Sequence, residues 1–295
     1  MMDTPYAGRT SPTAEPTWTD RLPAGFRWPG GANLAVWVVL NVEWFPFDGG
    51  GMALFESTKQ LRPDVLNYAW RDYGLRVGLQ RLARGLSERE VPATVALNAA
   101  VCDHAPHAIE FLSQLRCAYM GHGWTNSRRL TDEAKEGQRA VLAAVRDRIR
   151  QATGHTPEGW LGPGAVERYD SLEALAATGY KYTCDWCNDD LPYRFETASG
   201  PIWAAPYSME INDGVVFHEY KAEPEVFRKR IVDQAAGLLA DGTPRALAIA
   251  LHPFLIGQPF RLTSLLAALD ELRARRDVWF CTGDELIESF SKGVL

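Results

Sequence analysis

Glu43, His122 and His252 each close an apolar, strand-like stretch, in LNVEWF, AYMGHGWTN and AIALHPFLIG. A carboxylate at a largely dry strand end tends to have its pKa raised, which suits a general base acting on water. The alternative for Glu43 is a surface acid just past the strand. Histidine's ordinary pKa of ~6.5 lets it give or take a proton near neutral pH. His252 is therefore a candidate to protonate a leaving group, or simply a ring bonded to a neighbouring carbonyl. His122 stands between two glycines, where it could bind a metal, hold a substrate carbonyl or tie the turn. Asn126 follows four residues on, where a His-x-x-x-His metal pair would place its second ligand.

Other side chains gather around these three. WCNDDLPY brings Asp185, Asp189 and Asp190 together. Asp185 is a candidate to orient His252 and Asp189 to contact a substrate, while an exposed turn explains two of the three acids equally well. Arg261, in GQPFRL, could clamp an anionic substrate or cap the preceding loop. Trp44, Trp124, Trp160 and Trp186 lie beside the polar residues. They are candidates to line a pocket for a small ring, with ordinary core packing as the alternative. One such residue alone would mean little. Their shared position just after strands is the argument for one site, because parallel α/β folds place active sites at the C-terminal ends of their strands.

Several chemistries are not supported. There is no G-x-S-x-G nucleophile turn and no G-x-G-x-x-G opening a helix after a strand. Cys184 and Cys187 fit C-x-x-C, but a zinc ribbon needs a second such pair. Five scattered cysteines in 295 residues read as reduced thiols, so a cytoplasmic protein is expected. A net charge of -6 without a basic stripe argues against nucleic acid. No apolar run approaches the ~20 residues that span a bilayer, so no membrane association is expected. A small-molecule substrate is the expected partner.

Strand-like and helix-like stretches alternate along the chain. NLAVWVVLNV, VPATVALNA, CAYMGHG, PEGWLGPG, YKYTCDW, IWAAPYSMEIND, RALAIALHP and VWFCTG read as strands. YGLRVGLQRLARGLSERE carries Val77, Leu79, Leu82 and Leu86 at helical spacing. TDEAKEGQRAVLAAVRDRIRQATG reads as one long helix, capped at Thr131, with Glu133 and Glu136 in its first turns and Gly154 as its stop. The fold class is α/β, a deformed (β/α) barrel of about seven parallel strands. Residues 1–28, rich in Pro, Thr and Ser and without the basic-then-apolar order of a secretory signal, are expected to form an extended arm. Residues 29–295 then form a single catalytic domain.

Taken in order, LNVEWF, GHGWTN, GWLGPG, CDWCNDD and ALHP resemble the five motifs of the polysaccharide deacetylase superfamily. The resemblance implies that Glu43 is the general base. The family's metal-binding acid and second metal-binding histidine correspond to Trp44 and Asn126, and the arginine of its third motif is absent. Only His122 remains of that ligand set. One branch, the metal-independent allantoinases and cyclic imidases, is similar in more detail, through NDDLPY, APYSMEIND, LHPFLIGQPFRL and YGLRVGLQRL. That branch implies hydrolysis of a C–N bond in a small cyclic amide, ureide or imide. His122 and Asn126 would hold the carbonyl oxygen, His252 would protonate the leaving nitrogen, and the protein would form a homo-oligomer. No cofactor is expected. The alternative is a zinc-dependent N-deacetylase with Glu43 and His122 as ligands, and a third reading is a non-catalytic binding protein.

Overall fold

The computed structural model describes residues 22–133 and 137–294. Its centre is β1, Leu34–Val42, in which all nine residues are buried. A strand buried on both faces reads as continuous apolar sequence, and this one does. Parallel to it lie β2 (Ala93–Leu97) and β8 (Arg245–Leu251), on opposite edges. The order across the sheet is β6 (Tyr193–Phe195), β7 (Ile202–Ala204), β5 (Tyr182–Thr183), β4 (Gly159–Trp160), β3 (Cys117–Gly121), β2, β1, β8. β9 (Val278–Cys281) pairs with Leu34–Trp37, whereas β2 pairs with Val38–Val42. One edge of β1 thus serves two strands in succession.

The sheet curls into a deformed barrel. The outer edge of β8 is met by loop backbone: the Ala246 amide donates to the Asp190 carbonyl and the Ala250 amide to Ile211, both at 2.9 Å. Among the described residues eight strands run parallel, close to the seven expected. The ninth, β6, is antiparallel to β7 and was not anticipated. The barrel interior holds Trp37, Val39, Ala96, Met120, Tyr182, Tyr207 and Ala248. A larger apolar layer lies between the sheet and the surrounding helices.

Two expectations change. The long helix α5 spans Gln138–Thr153, and Thr131 lies in a separate short turn, Leu130–Asp132. Glu133 follows that turn and pairs with Arg128 at 2.6 Å instead of favouring a helix start, and Glu136 lies outside the described residues. Gly154 ends α5 in the left-handed conformation, φ 76°, as read from the sequence. Of the expected arm only residues 22–28 are described, and they lie against the domain. Phe26 packs edge-on against Phe290 and Trp28, and the Trp28 indole donates to the Arg245 carbonyl at 2.8 Å. Residues 1–21 lie outside the described residues. Among those described, no helix is long and apolar enough to cross a membrane.

The helical segment before β2 runs as α1 (Val65–Tyr73), a π-helical turn at Gly74–Gly78, and α2 (Leu79–Ser87). The π turn docks on α8, Pro253–Ile256, the short helix that follows His252. A Cβ at Gly74 would lie 2.8 Å from the Phe254 amide nitrogen, and one at Gly78 would overlap the Pro253 carbonyl. Glycine is required here by proximity, not by a left-handed φ. We predict that Gly78→Ala destabilises the protein by about 1–3 kcal/mol, the usual cost of overpacking. An unchanged midpoint in denaturant unfolding would refute this contact.

Candidate active site

Glu43 leaves β1 at the mouth of the barrel and is only 8% exposed. Burying a carboxylate is costly unless polar partners meet it, and the residues that follow β3 and β8 surround it. The Asn126 side-chain amide donates to Glu43 Oε1 at 2.8 Å. His122 Nε2 lies 3.4 Å and His252 Nε2 3.8 Å from the same oxygen. The contacts converge on Oε1, which leaves Oε2 for water. Asn98, just after β2, fixes the frame. Its side-chain oxygen accepts the Trp44 amide at 2.8 Å, and its NH2 group donates to the His122 carbonyl.

His122 follows β3, and its amide continues the ladder to the Leu97 carbonyl at 3.1 Å. Gly123 must be glycine, with φ 71° and a Cβ position 2.8 Å from the Pro163 ring. His122 Nδ1 lies 2.6 Å from the Leu161 carbonyl oxygen. A carbonyl only accepts, so Nδ1 carries the proton. A neutral His122 then turns a bare Nε2 toward Glu43 Oε1, acceptor facing acceptor. A second ring proton converts this into an ion pair. His122 can therefore donate to a substrate oxygen only as imidazolium, a restriction not visible in the sequence.

His252 ends β8 and takes its carboxylate partner from Asp213, not from Asp185. Asp213 is fully buried beside the parallel bridge between Asn212 and Ala250. His252 Nδ1 lies 2.6 Å from Asp213 Oδ1, and the His252 amide donates to both Asp213 oxygens at 3.0 and 2.8 Å. Burial disfavours the charged ring, but Asp213 and then Glu43 outweigh it and raise its pKa to about 9. Burial pulls Asp213 above the usual carboxylate value, while the His252 ring and amide pull it back. Asp213 was missed in the sequence because EIND was assigned to a strand. The structure instead makes Asp213 the residue before a π-helical turn, Gly214–Glu219.

The remaining candidates disperse. Asp185 binds the Gly162 amide at 2.7 Å, on the opposite side of His122 from His252. Asp189 accepts the Leu191 amide at 3.0 Å and lines a separate cavity of about 400 Å3 with Tyr207 and Glu210. Arg261 caps the preceding loop through the Leu255 carbonyl at 3.3 Å, and its guanidinium lies over the Phe217 ring. The four tryptophans make separate contacts. Trp44 stacks on His104 with ring centroids 4.5 Å apart. Trp186 donates to Glu167 at 3.2 Å and packs against Phe195. Trp160 packs edge-on against Tyr180 in the layer between sheet and helices. It shares with Trp124 a cavity of about 420 Å3, walled by Leu130 and Val141. The zinc of the alternative reading would rest on Glu43 and His122, and the positions of Trp44 and Asn126 add no ligand to them. Asn126 points N–H at Glu43, Trp44 is stacked away, and among the described residues no three His, Cys, Asp or Glu side chains form a metal-holding group.

Residues 70–183 match the polysaccharide deacetylase family model. The curled sheet with polar residues at its strand ends is the fold of that class. A Pseudomonas aeruginosa PAO1 structure bearing the polysaccharide deacetylase name is 24% identical, with a TM-score of 0.78 over 90% of this chain and 93% of that one. PuuE allantoinase is 23% identical, with a TM-score of 0.79 over 90% of this chain and 92% of its own. A curated Schizosaccharomyces pombe protein with the polysaccharide deacetylase name is 21% identical over 90% of this chain and 92% of its own.

The geometry makes a direct prediction for His252. Its folded-state pKa lies above the ordinary 6.5, so the protonated ring's contribution to stability is complete below about 6.5 and is lost as pH climbs through about 9. In Asp213→Asn the largest raising influence disappears while burial remains. An imidazole NMR titration is expected to place His252 at least one unit lower in that variant. An unchanged titration would show that Asp213 does not set its charge.

Proposed function

We propose that this protein hydrolyses a non-peptide C–N bond in a small cyclic amide, ureide or imide. The observation that carries the reading is Glu43 held on one oxygen between Asn126 and two imidazoles, with the His252–Asp213 pair opposite. Glu43 Oε2 takes a proton from water as the water oxygen attacks the carbonyl carbon. Oxyanion stabilisation falls to the Asn126 side-chain NH2, one of whose two N–H groups serves Glu43 while the other can face the substrate oxygen. His252, charged at neutral pH, gives its Nε2 proton to the departing nitrogen as the C–N bond breaks. The proton held on Glu43 Oε2 then returns to His252, whose Nε2 lies 3.8 Å from the other oxygen of the same carboxyl, and both groups regain their starting state. In a cyclic substrate both products stay in one molecule.

Asn126 supports the substrate class. Its Oδ1 is buried and has no hydrogen-bond donor among the described residues. A buried acceptor without a donor costs roughly 1–3 kcal/mol, and the N–H of a ring amide or ureide would satisfy it. The superposable allantoinase is consistent with this reading. Glu43→Gln is expected to keep the fold and lose about 10²–10⁴ in kcat against a panel of cyclic ureides and imides. Full activity in that variant would sink the base assignment. Turnover of N-acetylated sugars alone, lost together with tightly bound zinc on chelation, would favour the deacetylase reading. Activity carried by protonated His252 should also fall as pH rises through about 9. A kcat/KM still rising at pH 10 would exclude His252 as the acid.

A further inference from the structure

We infer that Asp185 is a positioning residue that sets the tautomer of His122 through the Leu161–Gly162 peptide group. The two contacts sit on the two ends of one planar amide. His122 Nδ1 donates to the Leu161 carbonyl at 2.6 Å, and the Gly162 N–H donates to Asp185 Oδ1 at 2.7 Å. The peptide is rigid, so fixing its N–H fixes the direction of its carbonyl. Bonding at one end also polarises the other. An acceptor on the N–H makes the carbonyl a better acceptor for the imidazole proton.

The surroundings are built for this contact. A Cβ at Gly162 would come within 3.2 Å of Asp185 Oδ2, so any larger residue would press the carboxyl away. The turn that follows is closed by the Ala165 amide on the Gly162 carbonyl at 2.8 Å, and Ala165 holds φ 51°, uncommon for a residue with a side chain. The Asp185 amide is itself tied to Thr183 Oγ1 at 3.3 Å. Glu167 stands next to Asp185, held by Trp186 Nε1 at 3.2 Å and Thr183 Oγ1 at 3.5 Å. A carboxyl oxygen accepts the Gly162 N–H whether or not Asp185 carries a proton.

The tautomer decides what His122 presents to Glu43. With the proton held on Nδ1 by Leu161, Nε2 is left as the atom that faces the base. If the peptide turned, the neutral ring could move its single proton to Nε2 and donate to Glu43, which would tie up the base. Asp185, which the sequence offered as a partner for His252, thus acts on the other histidine. This inference concerns the same site as the proposed hydrolysis and rests on that reading only for its kinetic consequence.

The test is imidazole 15N NMR of the full chain, which needs no turnover. Wild-type His122 is expected to show a protonated Nδ1. Asp185→Asn retains a carbonyl oxygen for the Gly162 N–H and is expected to keep that spectrum. Asp185→Ala is expected to give mixed tautomers at His122 while the His252 signals stay in place. On any hydrolysed substrate it should lower kcat by about 10–100-fold with little change in KM, and asparagine should restore much of the loss. A wild-type His122 spectrum in the alanine variant would overturn the assignment. If alanine prevents folding, Gly162→Ala decides instead: its Cβ presses the Asp185 carboxyl off the peptide N–H, mixed His122 tautomers are expected, and a wild-type His122 spectrum overturns the assignment. A wild type with the expected tautomer but no turnover would leave this inference standing and remove the proposed hydrolysis instead.

Discussion

The arrangement of the site follows from one buried carboxylate oxygen. Glu43 Oε1 sits where water cannot solvate it fully, so the protein must bring donors to it. It does so from separate parts of the chain, with Asn126 after β3 and His252 at the end of β8, while His122 at the end of β3 closes the third side of the same oxygen. Parallel strands make this economical, because their C-terminal ends emerge on the same rim. β1 lies between β2 and β8, so the residue that follows it is flanked by both neighbouring strand ends. Asn98 then locks the rim by joining Trp44 to His122. Moving any of these strand ends would leave Glu43 with an unpaired buried charge.

The helices take their share of the load through close packing. Gly74 and Gly78 let a π-helical turn sit directly on the backbone of Pro253–Gly257, and Gly257 would itself collide with Gly78 if it carried a Cβ. The His252 carbonyl accepts the Leu255 and Ile256 amides at 2.8 and 3.0 Å, which starts α8 at the histidine itself. The ring is therefore held from behind by a helix start, from below by the Asp213 carboxylate and from outside by the glycine contact. That explains in physical terms why the stretches YGLRVGLQRL and LHPFLIGQPFRL carry their glycines together. Each is half of one contact.

Glu43, His122, Asn126 and His252 were legible in the sequence because their signal is local: a polar residue directly after an apolar run. Strand-end position alone suffices to bring such residues to one rim. Asp213 and the true role of Asp185 were not legible, because nothing local says which of several acids meets which ring. Asp213 reaches His252 through a pairing 39 residues apart in the chain. The tryptophans are harder to place from sequence for the opposite reason. Their bulk suggested a pocket, but in an α/β barrel the outer face of the sheet needs large apolar groups as much as the interior does, and Trp160 went there. The start of α5 was misplaced because Thr131 has a good capping side chain. The chain spends that turn on Leu130–Asp132, where the Arg129 amide bonds Asp132 at 2.8 Å.

The two departures from the deacetylase motif are best understood as one change. The Asn126 amide donates to the Trp44 carbonyl at 2.9 Å, so the positions that would hold the second acid and second histidine of a metal site are hydrogen-bonded neighbours. A metal would contribute concentrated positive charge beside Glu43. A tryptophan stacked on His104 contributes none, and an asparagine amide offers only a dipole. His252 offers positive charge at the same oxygen. With Asp213 below it and Glu43 in front of it, the ring keeps its proton until about pH 9 despite its burial. The same charge that balances Glu43 is the proton a leaving nitrogen needs. One imidazolium could thus cover both the electrostatic role of a cation and the role of an acid, provided Asp213 stays ionised, and its contacts with the His252 ring and amide favour that state.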